Sequence, residues 1–117
     1  MARTVLIVDD HPSFRASARR VLEADGYRVV GEAHDAGSGI AAARALRPDV
    51  VLLDVHLPDL DGFEVAAVLT GPDDAPIVVL TSSRDGRDFN GMIARSGARG
   101  FIAKAELSGA ALDALLR

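Results

Sequence analysis

Five short apolar runs alternate with five longer amphipathic stretches along the chain. The runs cover residues 4–8, 28–33, 50–53, 77–80 and 100–103. Four are continuous Val/Ile/Leu or Phe/Ile segments, the pattern of strands buried on both faces. The second, RVVGEA, is more polar and contains Gly31, which places it at a sheet edge. Phe14, Ala18, Val21 and Leu22 form one apolar stripe, predicting a first helix. Pro12 suits its first turn, and Gly26 follows its end, where a left-handed residue is favoured. An Ala-rich second helix is predicted over 39–47 and stopped by Pro48, and a third over 62–69, closed by Gly71 and Pro72. Phe89, Met92, Ile93 and Ser96 line a fourth helix with Gly97 after it. Leu112, Leu115 and Leu116 line a fifth, with Ser108 as its cap. Strict β-α alternation predicts an α/β fold with one parallel sheet and helices on both faces. Periodicity leaves the strand order open.

With 117 residues and no linker, repeat or low-complexity tract, residues 1–117 read as one domain. Aromatic residues make up only 4% of the chain, so the core must be built from Val, Leu, Ile and closely packed Ala. The net charge of −4 argues against a nucleic-acid surface, which is usually basic. There is no cysteine, hence no disulfide framework. No apolar run approaches the roughly 20 residues of a membrane span. The stretch 5–8 is too short for a signal peptide and runs into two acids. A cytoplasmic protein that binds neither membrane nor nucleic acid is the expectation.

Ligands of open α/β sheets bind at the carboxyl ends of the strands. There the sequence places Asp9 and Asp10 after the first run, Asp54 after the third, Thr81, Ser82 and Ser83 after the fourth, and Lys104 just past the fifth. Clustered carboxylates either hold protons or share a cation. Mg²⁺ takes one or two carboxylates plus waters and a phosphate. A lysine and a hydroxyl could bind the remaining oxygens of a phosphoryl group, and one carboxylate could act as nucleophile to give an acyl phosphate. Singly, each residue has a plainer reading. Asp9 and Asp10 could cap the first helix, Lys104 could be a surface lysine, and Thr81 a strand-end hydroxyl. Pro58 and Gly62 shape a loop, and Asp61 is a helix cap. His11, His34 and His56 make no metal-binding pattern, and His11 reads as a loop residue beside the acidic pair. Arg15, Arg19 and Arg20 read as a solvated face, or as a docking surface for an acidic partner.

In order and placement, Asp9-Asp10, Asp54, Thr81 and Lys104 resemble the receiver domain of two-component response regulators, as does the segment DVHLPDLDG at 54–62. The start VLIVDDHP and the stretch VVGEA at 29–33 resemble the subgroup whose members often carry a helix-turn-helix output domain. The resemblance implies a flavodoxin-like doubly wound sheet of order 2-1-3-4-5. It implies Asp54 as phosphoacceptor, and Mg²⁺ (or Mn²⁺) held by Asp10, Asp54 and the backbone carbonyl of His56, with Asp9 acting directly or through water. Thr81 would donate to the phosphoryl group and Lys104 would pair with it. Phe101 would be either a core aromatic or one whose rotamer turns inward as Thr81 moves. The His56 side chain would flank the path of the hydrolysing water. The donor would be a sensor histidine kinase or phosphotransfer protein, and phosphorylation would switch the face of the fourth helix, fifth strand and fifth helix. Homodimerisation on phosphorylation stays open. The stretch between Thr81 and Lys104 is slightly longer than the family's, the extra length falling at 83–88, so Ser82 is an alternative to Thr81. The domain would catalyse only its own phosphorylation and dephosphorylation. Two rivals stand beside this reading: a phosphorylation-independent interaction module, and a hydrolase with an aspartate nucleophile. The second generally needs an acid two residues past the nucleophile, where this chain has His56.

Overall fold

A computed structural model of the chain describes residues 2–84 and 86–117, apart from the side chain of Asp88. The strands are β1 (Thr4–Val8), β2 (Arg28–Ala33), β3 (Val50–Asp54), β4 (Ile77–Ser82) and β5 (Gly100–Ala103). The helices are α1 (Pro12–Ala24), α2 (Ala36–Leu46), α3 (Gly62–Thr70), α4 (Asn90–Arg95) and α5 (Gly109–Leu116). The strands form one parallel sheet of order β2-β1-β3-β4-β5, with the polar second strand at an edge.

The two-residue period of the strands sorts the core into two layers. Val5, Ile7, Val50, Leu52, Val79 and Ile102 pack under Ala18 and Leu22 of α1 and Leu112 and Leu116 of α5. Leu6, Val8, Val51, Leu53, Val78 and Leu80 pack under α2 and α3 and against Phe89. The same period has a consequence at the strand ends. Asp9, Asp54 and Thr81 continue the stripes that face α1 and α5, whereas Ser82 continues the opposite one. The β3–β4 register sets Asp54 directly beside Thr81.

Several helix boundaries differ from the sequence reading. The second helix starts at Ala36 rather than residue 39, because Asp35 caps it by accepting from Ser38 N at 2.8 Å. It ends at Leu46, where Arg47 adopts left-handed backbone (φ 49°) before Pro48. The third and fourth strands extend through Asp54 and Ser82. The fourth helix is short and follows a 3-10 turn at Gly86–Phe89. Met92, expected on its buried face, is exposed, whereas Phe89 and Ser96 are buried. Asp85, in the loop read at 83–88, lies outside the described residues. Gly26 has φ +96°, and Pro12 opens α1. Asp61 and Ser108 cap α3 and α5, as their side chains suggested.

Candidate functional site

The carboxyl ends of β1 and β3 bring Asp9, Asp10 and Asp54 together, and Lys104 reaches them from the end of β5. Lys104 Nζ lies 2.6 Å from Asp9 Oδ2 and 3.3 Å from Asp54 Oδ2. Its ammonium also sits 4.6 Å above the Phe14 ring, which fixes the stem from the α1 side. Asp9 and Asp54 are buried, and Asp10 is partly exposed. Asp9 Oδ2 is enclosed and makes no hydrogen bond among the described residues, so its contact with Lys104 is an ion pair without hydrogen-bond alignment.

Asp54 is held on its other oxygen by the backbone N–H of His56, which donates to Oδ1 at 3.1 Å. Burial pushes the Asp54 carboxyl above the usual aspartate range. The His56 N–H opposes that shift, the Asp9 charge adds to it, and Lys104 opposes it. The loop after Asp54 folds back tightly. Gly62 N donates to Val55 O at 2.7 Å, and His56 pairs with Asp61 in an isolated antiparallel bridge. A Cβ at Gly62 would sit 2.8 Å from Val55 Cα and closer still to the Asp54 carbonyl oxygen, so only glycine fits this return. Asp59 of the same loop accepts from Ala36 N at 2.8 Å and Gly37 N at 3.0 Å, tying the loop to the α2 N-terminus.

The two adjacent hydroxyls of β4 differ. Ser82 Oγ accepts from Arg84 N at 3.0 Å. Thr81 Oγ1 is buried with no hydrogen-bond partner among the described residues. Phe101 stands apart from the carboxylates. It is half-buried, 6.1 Å from the Phe89 ring, and packs on Gly86. The His56 ring is exposed and meets Phe89 edge-on at 6.0 Å.

The family model described as the response regulator receiver domain matches residues 5–116. The chain belongs to this family. It is 37% identical over 106 residues to BvgA of Bordetella pertussis, a putative positive transcription regulator of virulence factors, which covers 91% of this chain and 51% of BvgA. The receiver domain of the putative response regulator NarL from Mycobacterium tuberculosis superposes with a TM-score of 0.85 at 35% identity, covering 98% of this chain and 97% of that one. A LuxR-family response regulator from Aurantimonas sp. SI85-9A1 gives 0.87 at 32% identity, covering 99% of this chain and 86% of that one. The chain spans about half the length of the curated relatives it matches. Among the described residues no helix is long and apolar enough to cross a membrane.

Two features of this receiver were not read from the sequence. His11 lies in the loop beside the acidic pair, as expected, and is the N-cap residue of α1, but its ring also turns into the acidic cluster. The only sequence signal was its position directly after Asp9 and Asp10. Arg15 and Arg19 are not a solvated face. Both pair with Glu32 of β2, at 3.2 and 2.8 Å, and Arg15 Nη1 donates to the Asp9 carbonyl at 2.6 Å. Arg20 is exposed, as expected.

Proposed function

We propose that this receiver takes a phosphoryl group onto Asp54 from a histidine kinase or phosphotransfer protein and later loses it to water. The observation that carries the reading is the placement of Lys104. Its ammonium touches two buried carboxylates at the strand ends, beside a buried hydroxyl that has no partner among the described residues. A fold maintained only for packing gains little from such an arrangement, because buried like charges and an unbonded hydroxyl both cost stability.

The donor set fits Mg²⁺ or Mn²⁺. Oxygens of Asp9, Asp10 and Asp54 lie in one cluster whose ligand atoms fall within 4.8 Å of one another. With one lysine among three carboxylates, the cluster keeps an excess of negative charge that a divalent cation would offset. Asp10, Asp54 and the His56 carbonyl would hold the cation, with Asp9 direct or through water. When bound, the cation supplies charge neutralisation for phosphoryl oxygens.

The chain's own residues supply the rest. The Asp54 carboxylate attacks phosphorus, the P–N bond to the donor imidazole breaks, and the imidazole leaves with its electron pair and is neutralised by a proton. The N–H of His56 holds the carboxylate in place. Lys104 exchanges part of its contact with Asp54 for a phosphoryl oxygen, and Thr81 donates the hydroxyl proton that has no acceptor among the described residues before phosphorylation. Hydrolysis returns the carboxylate, so the domain turns over no separate substrate. Movement of Thr81 would free space beside β5, letting Phe101 reposition and altering the face of α4, β5 and α5. The short α4, with no buried residue among its own positions, is the element that would shift at least cost. A second copy or an output segment would read that face.

The test is ³¹P NMR of the chain with phosphoramidate, with and without Mg²⁺. A new acyl-phosphate resonance that forms with Mg²⁺ and fails to form when a chelator is added before the donor is expected. A folded chain that shows none with either phosphoramidate or a cognate kinase would overturn the reading.

A further inference from the structure

We propose that His11 supplies a nitrogen ligand to the cation site, so that this receiver binds imidazole-preferring divalent metals such as Ni²⁺, Cu²⁺ and Zn²⁺ with an advantage over Mg²⁺. The proposal rests on the reading of Asp9, Asp10 and Asp54 as the cation site and adds a fourth side chain to it.

The geometry of the ring carries the argument. His11 Nδ1 lies 3.0 Å from Asp9 Oδ1, 3.1 Å from Asp10 Oδ1 and 4.0 Å from Asp54 Oδ2. An octahedral cation with bonds near 2.1 Å separates neighbouring ligand atoms by about 3.0 Å and opposite ones by about 4.2 Å. The imidazole nitrogen thus stands at neighbour spacing from two carboxylates and near opposite spacing from the third. A hydrogen bond alone accounts for less. One N–H can align with one acceptor, yet Nδ1 faces two oxygens at nearly equal distance.

His11 Nδ1 is hydrogen-bonded to Asp9 Oδ1 at 3.0 Å, and a cation bound between them would take the place of the proton they share. The ring makes no capping bond to α1. The His11 backbone N–H donates to Asp9 Oδ1 at 2.8 Å and anchors the residue over the cluster. The side chain is 62% exposed, so water can receive the proton on Nε2 while Nδ1 turns inward. Lys104 approaches the other oxygen of Asp9, leaving Oδ1 on the His11 side. Carboxylates suit Mg²⁺ and Mn²⁺, whereas imidazole suits Ni²⁺, Cu²⁺ and Zn²⁺, and affinity for a mixed site rises towards the later metals. One imidazole among carboxylates therefore changes metal preference more than it changes Mg²⁺ binding.

The experiment is calorimetric titration of the untagged chain with Mg²⁺ and with Ni²⁺, for the wild type, His11→Ala, His11→Gln and Asp54→Asn. His34→Ala and His56→Ala control for the other imidazoles. Pulsed EPR of the Mn²⁺ complex looks for coupling to an imidazole nitrogen. The expected result is that His11→Ala loses roughly tenfold or more of its Ni²⁺ affinity, keeps its Mg²⁺ affinity, and loses the nitrogen coupling. His11→Gln should behave like the alanine variant, the two control variants should match the wild type, and Asp54→Asn should weaken both metals. Wild-type Ni²⁺ affinity and retained nitrogen coupling in His11→Ala would overturn the histidine ligand and leave the cation site standing. A wild-type chain that binds neither metal would overturn the cation site as well.

Discussion

Thr81→Val removes a hydroxyl that makes no hydrogen bond among the described residues and keeps the shape of the side chain. The oxygen is enclosed in β4, in a residue only 1% exposed, with no partner among the described residues. Leaving a buried polar group unpaired costs about 1–3 kcal/mol, and here no hydrogen bond offsets that cost. Valine also suits a strand at least as well as threonine. Taking the low end for imperfect shape matching, the unphosphorylated domain should gain about 1 kcal/mol, or roughly 4 °C in Tm for a chain of this size. The adjacent Ser82→Ala should behave in the opposite way. It removes the acceptor of the Arg84 N–H and should cost about 0.5–1.5 kcal/mol. Urea denaturation followed by circular dichroism measures both, provided the slope with denaturant is unchanged. A loss of stability in Thr81→Val comparable to that in Ser82→Ala would refute the reasoning. It would mean that Thr81 is satisfied before phosphorylation and not held in reserve for a phosphoryl oxygen.

Three further outcomes follow from the same geometry. Gly62→Ala forces a methyl group against the backbone of Asp54 and Val55, so it should cost about 1–3 kcal/mol as overpacking does and slow the labelling of Asp54; equal stability in a urea titration would show that the loop yields freely. Asp59 is held below the usual aspartate range by the N–H groups of Ala36 and Gly37. Its contribution is therefore present above the unfolded value of 3.8 and lost as pH falls through its lower folded value. Asp59→Asn should lower Tm at neutral pH and converge with the wild type in acid, and a pH-independent difference would contradict this. Asp54 has the opposite sign. Burial raises its carboxyl, so its favourable contribution exists below the unfolded value of 3.8 and is lost as pH rises through the folded one. Asp54→Asn should accordingly be more stable than the wild type at neutral pH, with the gap narrowing in acid; a less stable variant at neutral pH would show that the Lys104 contact outweighs desolvation.

The parts of this domain written in local pattern were legible from sequence. Apolar runs located all five strands, four of them continuous, and the more polar RVVGEA identified one edge. Pro12, Gly26, Asp61 and Ser108 marked helix ends because capping depends on neighbours in sequence. What was missed depends on residues far apart. The Arg15 and Arg19 pairs need Glu32, and the cap of α2 by Asp59 reaches across 23 positions. The start of α2 was placed late because Ala-Gly-Ser-Gly has weak helix propensity, and its two aspartate caps outweigh that. Met92 fitted a helical stripe on paper, but the face that meets the core runs through Phe89, Ile93 and Ser96 and leaves Met92 exposed. At the site, the acidic residues and Lys104 were visible as strand-end chemistry. Thr81 was favoured over Ser82 because it directly follows the apolar run, and strand parity and the Arg84 bond set the two hydroxyls apart, while the orientation of His11 needed the first turn of α1.

The central claim is that the Asp54 carboxylate becomes an acyl phosphate. The most direct measurement treats the chain with phosphoramidate and Mg²⁺, reduces it with borohydride, and maps the peptides by mass spectrometry. Borohydride converts an acyl phosphate, but not a free carboxylate, to an alcohol. The account predicts homoserine in place of Asp54, dependent on both donor and Mg²⁺, with Asp9 and Asp10 unchanged. Reduction at Asp9 or Asp10 instead, or an unreduced Asp54 in protein that carries phosphate by intact mass, would contradict it.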